Sequence, residues 1–313
     1  MRPLFILVLC LLAASCGQGI SPAANTATAP AQDERAADLA KKKESLTRFF
    51  RPMQIRAGDW LDAHPEDGET FEEYIRSGPT LPTAERKTIY IQPVGKFSTE
   101  QRKVIDRTAD YMRAFFNLPV VLRDRMPLTG VPKDLSRVQY PNNLQIRTSY
   151  FLDNLLPKLL PKDAAALICL TSNDLYPGDT WNYVFGQASL EKRDGVWSLW
   201  RFERDGAKRV SSDLLLARTL KVSMHETGHM FSMRHCTKYE CLMSGTNHLD
   251  ETDRRPLDVC PECAAKISWA LNYPLSDRYK NLAAFWKKQG RTTEKQEMLD
   301  KAGALCGCKV ESP

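Results

Sequence analysis

The chain has 313 residues, 42% of them hydrophobic and 26% charged, with 44 Lys and Arg against 38 Asp and Glu. That balance is globular, and 16 Gly with 19 Pro is too few for a collagen-like or low-complexity chain. The net charge of +6 is spread thinly, with no long basic block and no aromatic-rich basic stripe, which argues against nucleic acid as a partner.

Residues 4–15, LFILVLCLLAAS, form an apolar run after Arg2. The run is too short to span a bilayer, which takes about 20 residues, and reads as the apolar core of an export signal. The sequence Ala13-Ala14-Ser15-Cys16 resembles a bacterial lipobox. Residues 1–16 are therefore expected to be a lipoprotein-type signal peptide, with Cys16 lipidated and the protein anchored outside the cytoplasm on a bacterial membrane; plain secretion is the alternative. Residues 17–40 are expected to be a flexible tether, because Gly17 to Asp33 offers almost no large apolar residue to offset the entropy of ordering. A coil of about 24 residues reaches roughly 27 Å.

The body alternates strand and helix patterns, which points to an α/β (α+β) fold. Residues 88–94 read as a strand. Ser98 starts a helix whose apolar positions Val104, Ile105, Ala109, Met112, Phe115 and Phe116 follow a 3.6 period. Val120–Leu122 is a short strand, Asn143–Leu156 a second helix, and Ala165–Leu170, Tyr183–Leu190 and Val196–Phe202 further strands, all joined in one sheet. Ser212 reads as the N-cap of a helix that is apolar on most sides and so buried.

That helix runs into His225, Glu226 and His229. Two histidines four apart project from one helix face and can share a metal at about 2.0 to 2.1 Å, with Glu226 beside them, able to act on a metal-bound water without ligating. His235 follows six residues later, on the far side of any continuing helix. If the helix ends and the chain turns back after Phe231, His235 supplies a third nitrogen and leaves one tetrahedral position open, as in catalytic zinc sites. Cys236 and Cys241, then Cys260 and Cys263 after eighteen intervening residues, have the spacing of a closed four-thiolate zinc site. Two disulfides are the competing reading in an exported protein.

The run HETGHMFSMRHC, with Cys241, Met243 and the CPEC pair, resembles the archaemetzincin family of zinc metalloproteases. The match spans Ser223 to Cys263, and a segment like 182–188 precedes the histidine helix in the same family, so similarity extends from about Lys87 to Tyr273. The resemblance implies a metzincin-like fold: an upper lobe, residues 41–234, with a mixed sheet and the active-site helix, and a smaller lower lobe, residues 235–313, with the second zinc. It implies that His225, His229 and His235 bind catalytic Zn2+, that Glu226 is the general base, that Met243 forms the floor beneath the metal, and that Cys236, Cys241, Cys260 and Cys263 hold a structural Zn2+. Ser232 stands where the family pattern has Gly, at a left-handed turn that costs Ser about 1 to 2 kcal/mol.

The expected activity is hydrolysis of a peptide or protein substrate, laid as an added strand along Tyr183, Val184, Phe185 and Gly186 up to Ala188, by a monomeric enzyme. The alternative is a catalytically silent, zinc-scaffolded peptide-binding module. Of the remaining residues, His64 and His248 read as surface histidines and Cys169 as core packing, while Cys306 and Cys308 have no assigned role.

Overall fold

The structure, a computed structural model, describes residues 29–139, 143–189, 191–206 and 208–306, with side chains from Glu34 onward. The expected signal peptide, Cys16 and Cys308 lie outside these residues. Among the described residues no helix is long and apolar enough to cross a membrane.

The expected tether is corrected from Ala29 onward, where the chain forms helix α1 (Ala29–Glu44). Its Ala, Leu, Lys and Glu residues are strong helix formers, and one face docks: Leu39 is buried, and Arg35 donates to the Trp269 carbonyl at 2.5 Å. Lys43 is buried between Glu262 at 2.9 Å and Glu72 at 3.0 Å. Two short helices follow, α2 (Trp60–Ala63) and α3 (Phe71–Arg76), the second closed by a capping box on Thr70 and Glu73.

The sheet begins with β1 (Thr88–Val94). Ser98 and Gln101 form a reciprocal capping box at the start of α4 (Thr99–Phe116), which buries its apolar stripe before β2 (Val120–Leu122). Next come β3 (Ser136–Gln139) and β4 (Asn143–Arg147), one π-helical turn (Tyr150–Leu155), α5 (Leu156–Leu159), β5 (Ala164–Thr171) and β6 (Asp174–Tyr176). Then β7 (Gly186–Ala188), β8 (Asp194–Ser198) and the hairpin β9 (Arg204–Asp205) and β10 (Lys208–Arg209) lead into α6 (Ser212–Met230). The chain ends in α7 (Leu249–Arg254), α8 (Pro261–Leu271), α9 (Leu275–Lys288) and α10 (Thr292–Cys306).

The five expected strands do lie in one sheet, in the order β2-β1-β5-β8-β7, parallel except for β7. Every residue of the central β5 is buried, which is why it reads as an unbroken apolar run. The strands expected at 183–190 and 196–202 are shorter, and Val184 bridges Leu175 instead of continuing β7. The helix expected at 143–156 is a strand in its first part. Asn143 and Gln145 point inward on alternate positions and both donate to the buried Asp174 at 2.8 Å, while Leu144 points out. This strand joins β3 and β6 in a second, three-stranded sheet.

α6 packs against β7 and β8, and two glycines allow the close approaches there, Gly186 between the two strands and Gly195 beneath the helix. A Cβ at Gly186 would lie 2.7 Å from the Trp197 Cβ, and one at Gly195 would lie 2.7 Å from the Met230 Cε. The Trp197 indole donates to Ser223 Oγ at 2.9 Å and fixes the helix along the sheet.

Asp174 also receives Arg201 Nε at 2.8 Å and Nη2 at 2.7 Å, so one buried carboxylate joins the second sheet to the turn after β8. Asp174→Ala is expected to cost about 3 to 5 kcal/mol by leaving Arg201 and two amides without their partner. Urea unfolding measures it; a loss below about 1 kcal/mol would assign the joining to packing alone.

Candidate active site

α6 starts one residue earlier than expected, with Ser211 as N-cap accepting from the Leu214 N–H at 3.2 Å. Its end is abrupt. Phe231 leaves the helix, Ser232 takes φ 61°, and two bonds close the turn: Ser232 N–H to His229 O at 2.8 Å and Met233 N–H to Gly228 O at 3.1 Å. Ser232 thus adopts the left-handed conformation expected of a glycine there. Its Oγ accepts the Thr80 N–H at 3.0 Å, and Tyr74 Oη donates to Phe231 O at 2.7 Å, so the N-terminal segment braces the reversal.

The reversal returns His235 to the histidine face of α6. The three rings lie with centroids 4.6, 5.2 and 5.0 Å apart, and one ligating nitrogen from each falls within 4.8 Å of the others. Each Nδ1 faces an acceptor: Leu242 O for His225 at 2.9 Å, Met233 O for His229 at 2.6 Å, and the Glu66 carboxylate for His235 at 3.0 Å. With each Nδ1 held as the donor, each Nε2 carries a lone pair. The Nε2 atoms of His225 and His229 are 3.0 Å apart, and His235 Nε2 is buried without a hydrogen-bond partner among the described residues. Nitrogens on one tetrahedral zinc are about 3.3 Å apart, so these residues fit a metal ion. Burial, reinforced by the neighbouring imidazoles, keeps His225 well below its ordinary pKa and pushes His229 down to about 3.

Glu226 is buried beside this cluster and makes no hydrogen bond or ion pair with another described residue. Burial pushes its carboxyl up to about 8; a nearby cation acts in the opposite direction. Glu226, His225 and His235 line a cavity together with Phe185, Gly186, Val222 and Leu242. Met243 is fully buried beneath α6, where a Cβ at Gly228 would lie 2.6 Å from its Sδ. The glycine within the histidine motif is what lets this methionine approach the helix.

Of the expected substrate-strand residues, Phe185 and Gly186 reach the cavity. Tyr183 does not: its ring lies 3.4 Å from the Arg201 guanidinium carbon, and Val184 is buried in the core between the two sheets.

Cys236, Cys241, Cys260 and Cys263 converge, with all four sulfurs buried and within 4.8 Å of one another. They are free thiols: Cys236 and Cys260 are 3.5 Å apart, well beyond the roughly 2.05 Å of a disulfide. The Cys260 N–H points at Cys241 Sγ at 3.2 Å, and Cys260 caps α8, whose first turn carries Cys263. Hydrogen bonds from Cys241, Cys260 and Cys263 hold the Cys236 thiol well below its usual range, whereas burial pushes Cys241 up. Four buried sulfurs converging at the start of a helix have the donor set and spacing that suit a cation such as zinc.

Glu66 was not visible in the sequence pattern. It accepts Trp60 Nε1 at 2.6 Å as well as facing His235. Burial pushes its carboxyl up, but the bonds to His235 and Trp60 outweigh this and hold it below the ordinary value. His64 is half-buried with its ring 4.4 Å from Trp60, which corrects its expected exposure. His248 is partly exposed and caps α7, accepting the Glu251 N–H at 3.1 Å. Cys169 is core packing, as expected.

Residues 88–269 match the family profile described as Peptidase family M54. Archaemetzincin-2 of Homo sapiens is 35% identical over 267 residues, covering 75% of this chain and 74% of that protein. Archaemetzincin-1 of Homo sapiens is 28% identical over 292 residues, covering 83% of this chain and 58% of that protein. The solved archaemetzincin of Methanopyrus kandleri is 24% identical and covers 61% of this chain and 98% of its own, with a TM-score of 0.48. The chain belongs to peptidase family M54, the archaemetzincins, and is a zinc metallopeptidase.

The helix end makes a direct prediction. Ser232→Gly and Ser232→Ala both lose the acceptor for Thr80, but only Gly relieves the left-handed backbone. The Gly variant is expected to be more stable than the Ala variant by about 1 kcal/mol in urea unfolding. Equal stabilities would mean that the positive φ at this position carries no strain.

Proposed function

We propose that the chain hydrolyses peptide bonds by attack of a water that Glu226 deprotonates. The reading rests on one observation: each Nδ1 of His225, His229 and His235 is engaged, so that the Nε2 lone pairs are free to converge on one ion. Zinc, when bound there, supplies a Lewis acid that polarises the scissile carbonyl and acidifies the attacking water. Glu226 takes the water proton and passes it to the departing amine, a role suited to a buried carboxylate engaged by no other side chain. Phe185 and Gly186 flank the same cavity, and β7 is an edge strand, so an extended substrate can pair along Phe185–Ala188 through its main chain.

The four buried cysteines hold a second, structural zinc in this reading. The unbonded sulfurs and their mutual distances favour it over two disulfides. Cys16, following the apolar leader, tethers the enzyme to a membrane surface outside the cytoplasm. A catalytically silent binding module has less support, because Glu226 is retained and stands at the cavity.

Glu226→Gln is expected to lower kcat/KM on peptide substrates by roughly 10²- to 10⁴-fold while metal content stays unchanged. Peptide hydrolysis persisting in that variant would end the proposed role for Glu226. Elemental analysis together with thiol titration addresses the second site. Two zinc ions per chain and four thiols released on metal removal are expected; one zinc and no such release would replace the second site by disulfides.

A further inference from the structure

We propose that Glu66, which lies N-terminal to the region matched by the family profile, is a positioning residue for the catalytic centre, and that Trp60 holds it in place. This rests on the reading that the three histidines hold a metal. His225 and His229 sit on a helix, and their Nδ1 atoms are anchored by main-chain carbonyls. His235 lies beyond the helix end, where no regular backbone fixes its ring. Its Nδ1 faces a charged side chain instead, both Glu66 oxygens standing 3.0 and 3.1 Å away from a position 169 residues earlier in the chain. A carboxylate at this distance fixes the tautomer that leaves Nε2 free, orients the ring and strengthens it as a metal ligand.

The carboxylate is itself held. Trp60 Nε1 donates to Glu66 Oε1 at 2.6 Å, and the indole stands edge-on to the His235 ring with centroids 5.3 Å apart. The indole fits only because residue 245 is glycine, since a Cβ there would lie 2.4 Å from the Trp60 ring. The Trp60 N–H donates to Glu251 at 3.0 Å, and Asp59 is paired with Arg254 at 2.6 Å. At the other end, a Cβ on Gly68 would lie 2.3 Å from Thr237 Oγ1, two residues past His235. Residues 59–68 therefore form a strap pressed against the loop that carries the third histidine.

Glu66→Gln keeps the shape and one acceptor oxygen but removes the charge. The test is cobalt(II) titration of the metal-free full chain. Uptake at the cysteines shows a sulfur-to-metal band in the near ultraviolet, so uptake without that band reports the histidine site. The variant is expected to bind cobalt there 10- to 100-fold more weakly than wild type, with an unchanged urea midpoint for the metal-free protein. Trp60→Phe, which keeps Glu66 but removes its donor, should weaken binding several-fold. Affinity within twofold of wild type for Glu66→Gln would overturn the proposal, as would a loss of affinity fully matched by a loss of folding. If that variant does not fold, unchanged affinity in Trp60→Phe overturns it. A wild-type chain taking up cobalt only at the cysteines would instead defeat the three-histidine centre itself.

Discussion

The reversal of the main chain after α6 is the constraint on which the histidine cluster depends. A continuing helix would carry residue 235 away from residues 225 and 229, and no side-chain rotation could recover the distance. The turn is made by a non-glycine residue at φ 61°, held by two helix-closing bonds and by contacts from Tyr74 and Thr80. The bonds from Thr80 and Tyr74 come from outside the helix and its turn, so the local cost at Ser232 is offset by contacts distant in sequence. Once the turn is made, Met233 offers its carbonyl to His229, and the following loop brings Leu242 O to His225. The stretch that delivers His235 thus also orients His225 and His229.

The cysteine cluster serves the same loop from its other end. Cys236 adjoins His235, its N–H donates to Met243 O at 2.9 Å, and its sulfur meets Cys260 at the start of α8. The loop between His235 and Met243 is therefore tied at its beginning, at its end and to a helix. The histidine cluster thus gains rigidity from the buried cysteine cluster beside it.

The strongly patterned parts of the fold were legible in the sequence. β5 reads as apolar throughout because a central parallel strand is covered on both faces, and α4 shows its helical period and its start at Ser98. The motif around His225 is local, so spacing alone brings its first two histidines together. The segment 143–147 does not read as a strand because two of its three buried residues are amides. Asn143 and Gln145 are buried for the sake of Asp174, a partner that hydrophobic periodicity cannot reveal. Glu66 was missed for a similar reason: a polar run of His, Pro, Glu, Asp and Gly has the composition of an exposed turn, and only the packing of Trp60 turns it inward. The cap of α6 was misplaced by one residue because two serines stand side by side.

The ion pairs of Lys43 bear on what α1 contributes. Glu262, in the first turn of α8, is covered by Lys43 at 2.9 Å and Lys238 at 3.0 Å and also receives the Phe71 N–H at 3.1 Å. Losing α1 by deletion would strip this acid of its buried cation and leave it the more exposed Lys238. One carboxylate thus couples the amino-terminal helix to the Cys-Pro-Glu-Cys run that bears two of the thiols.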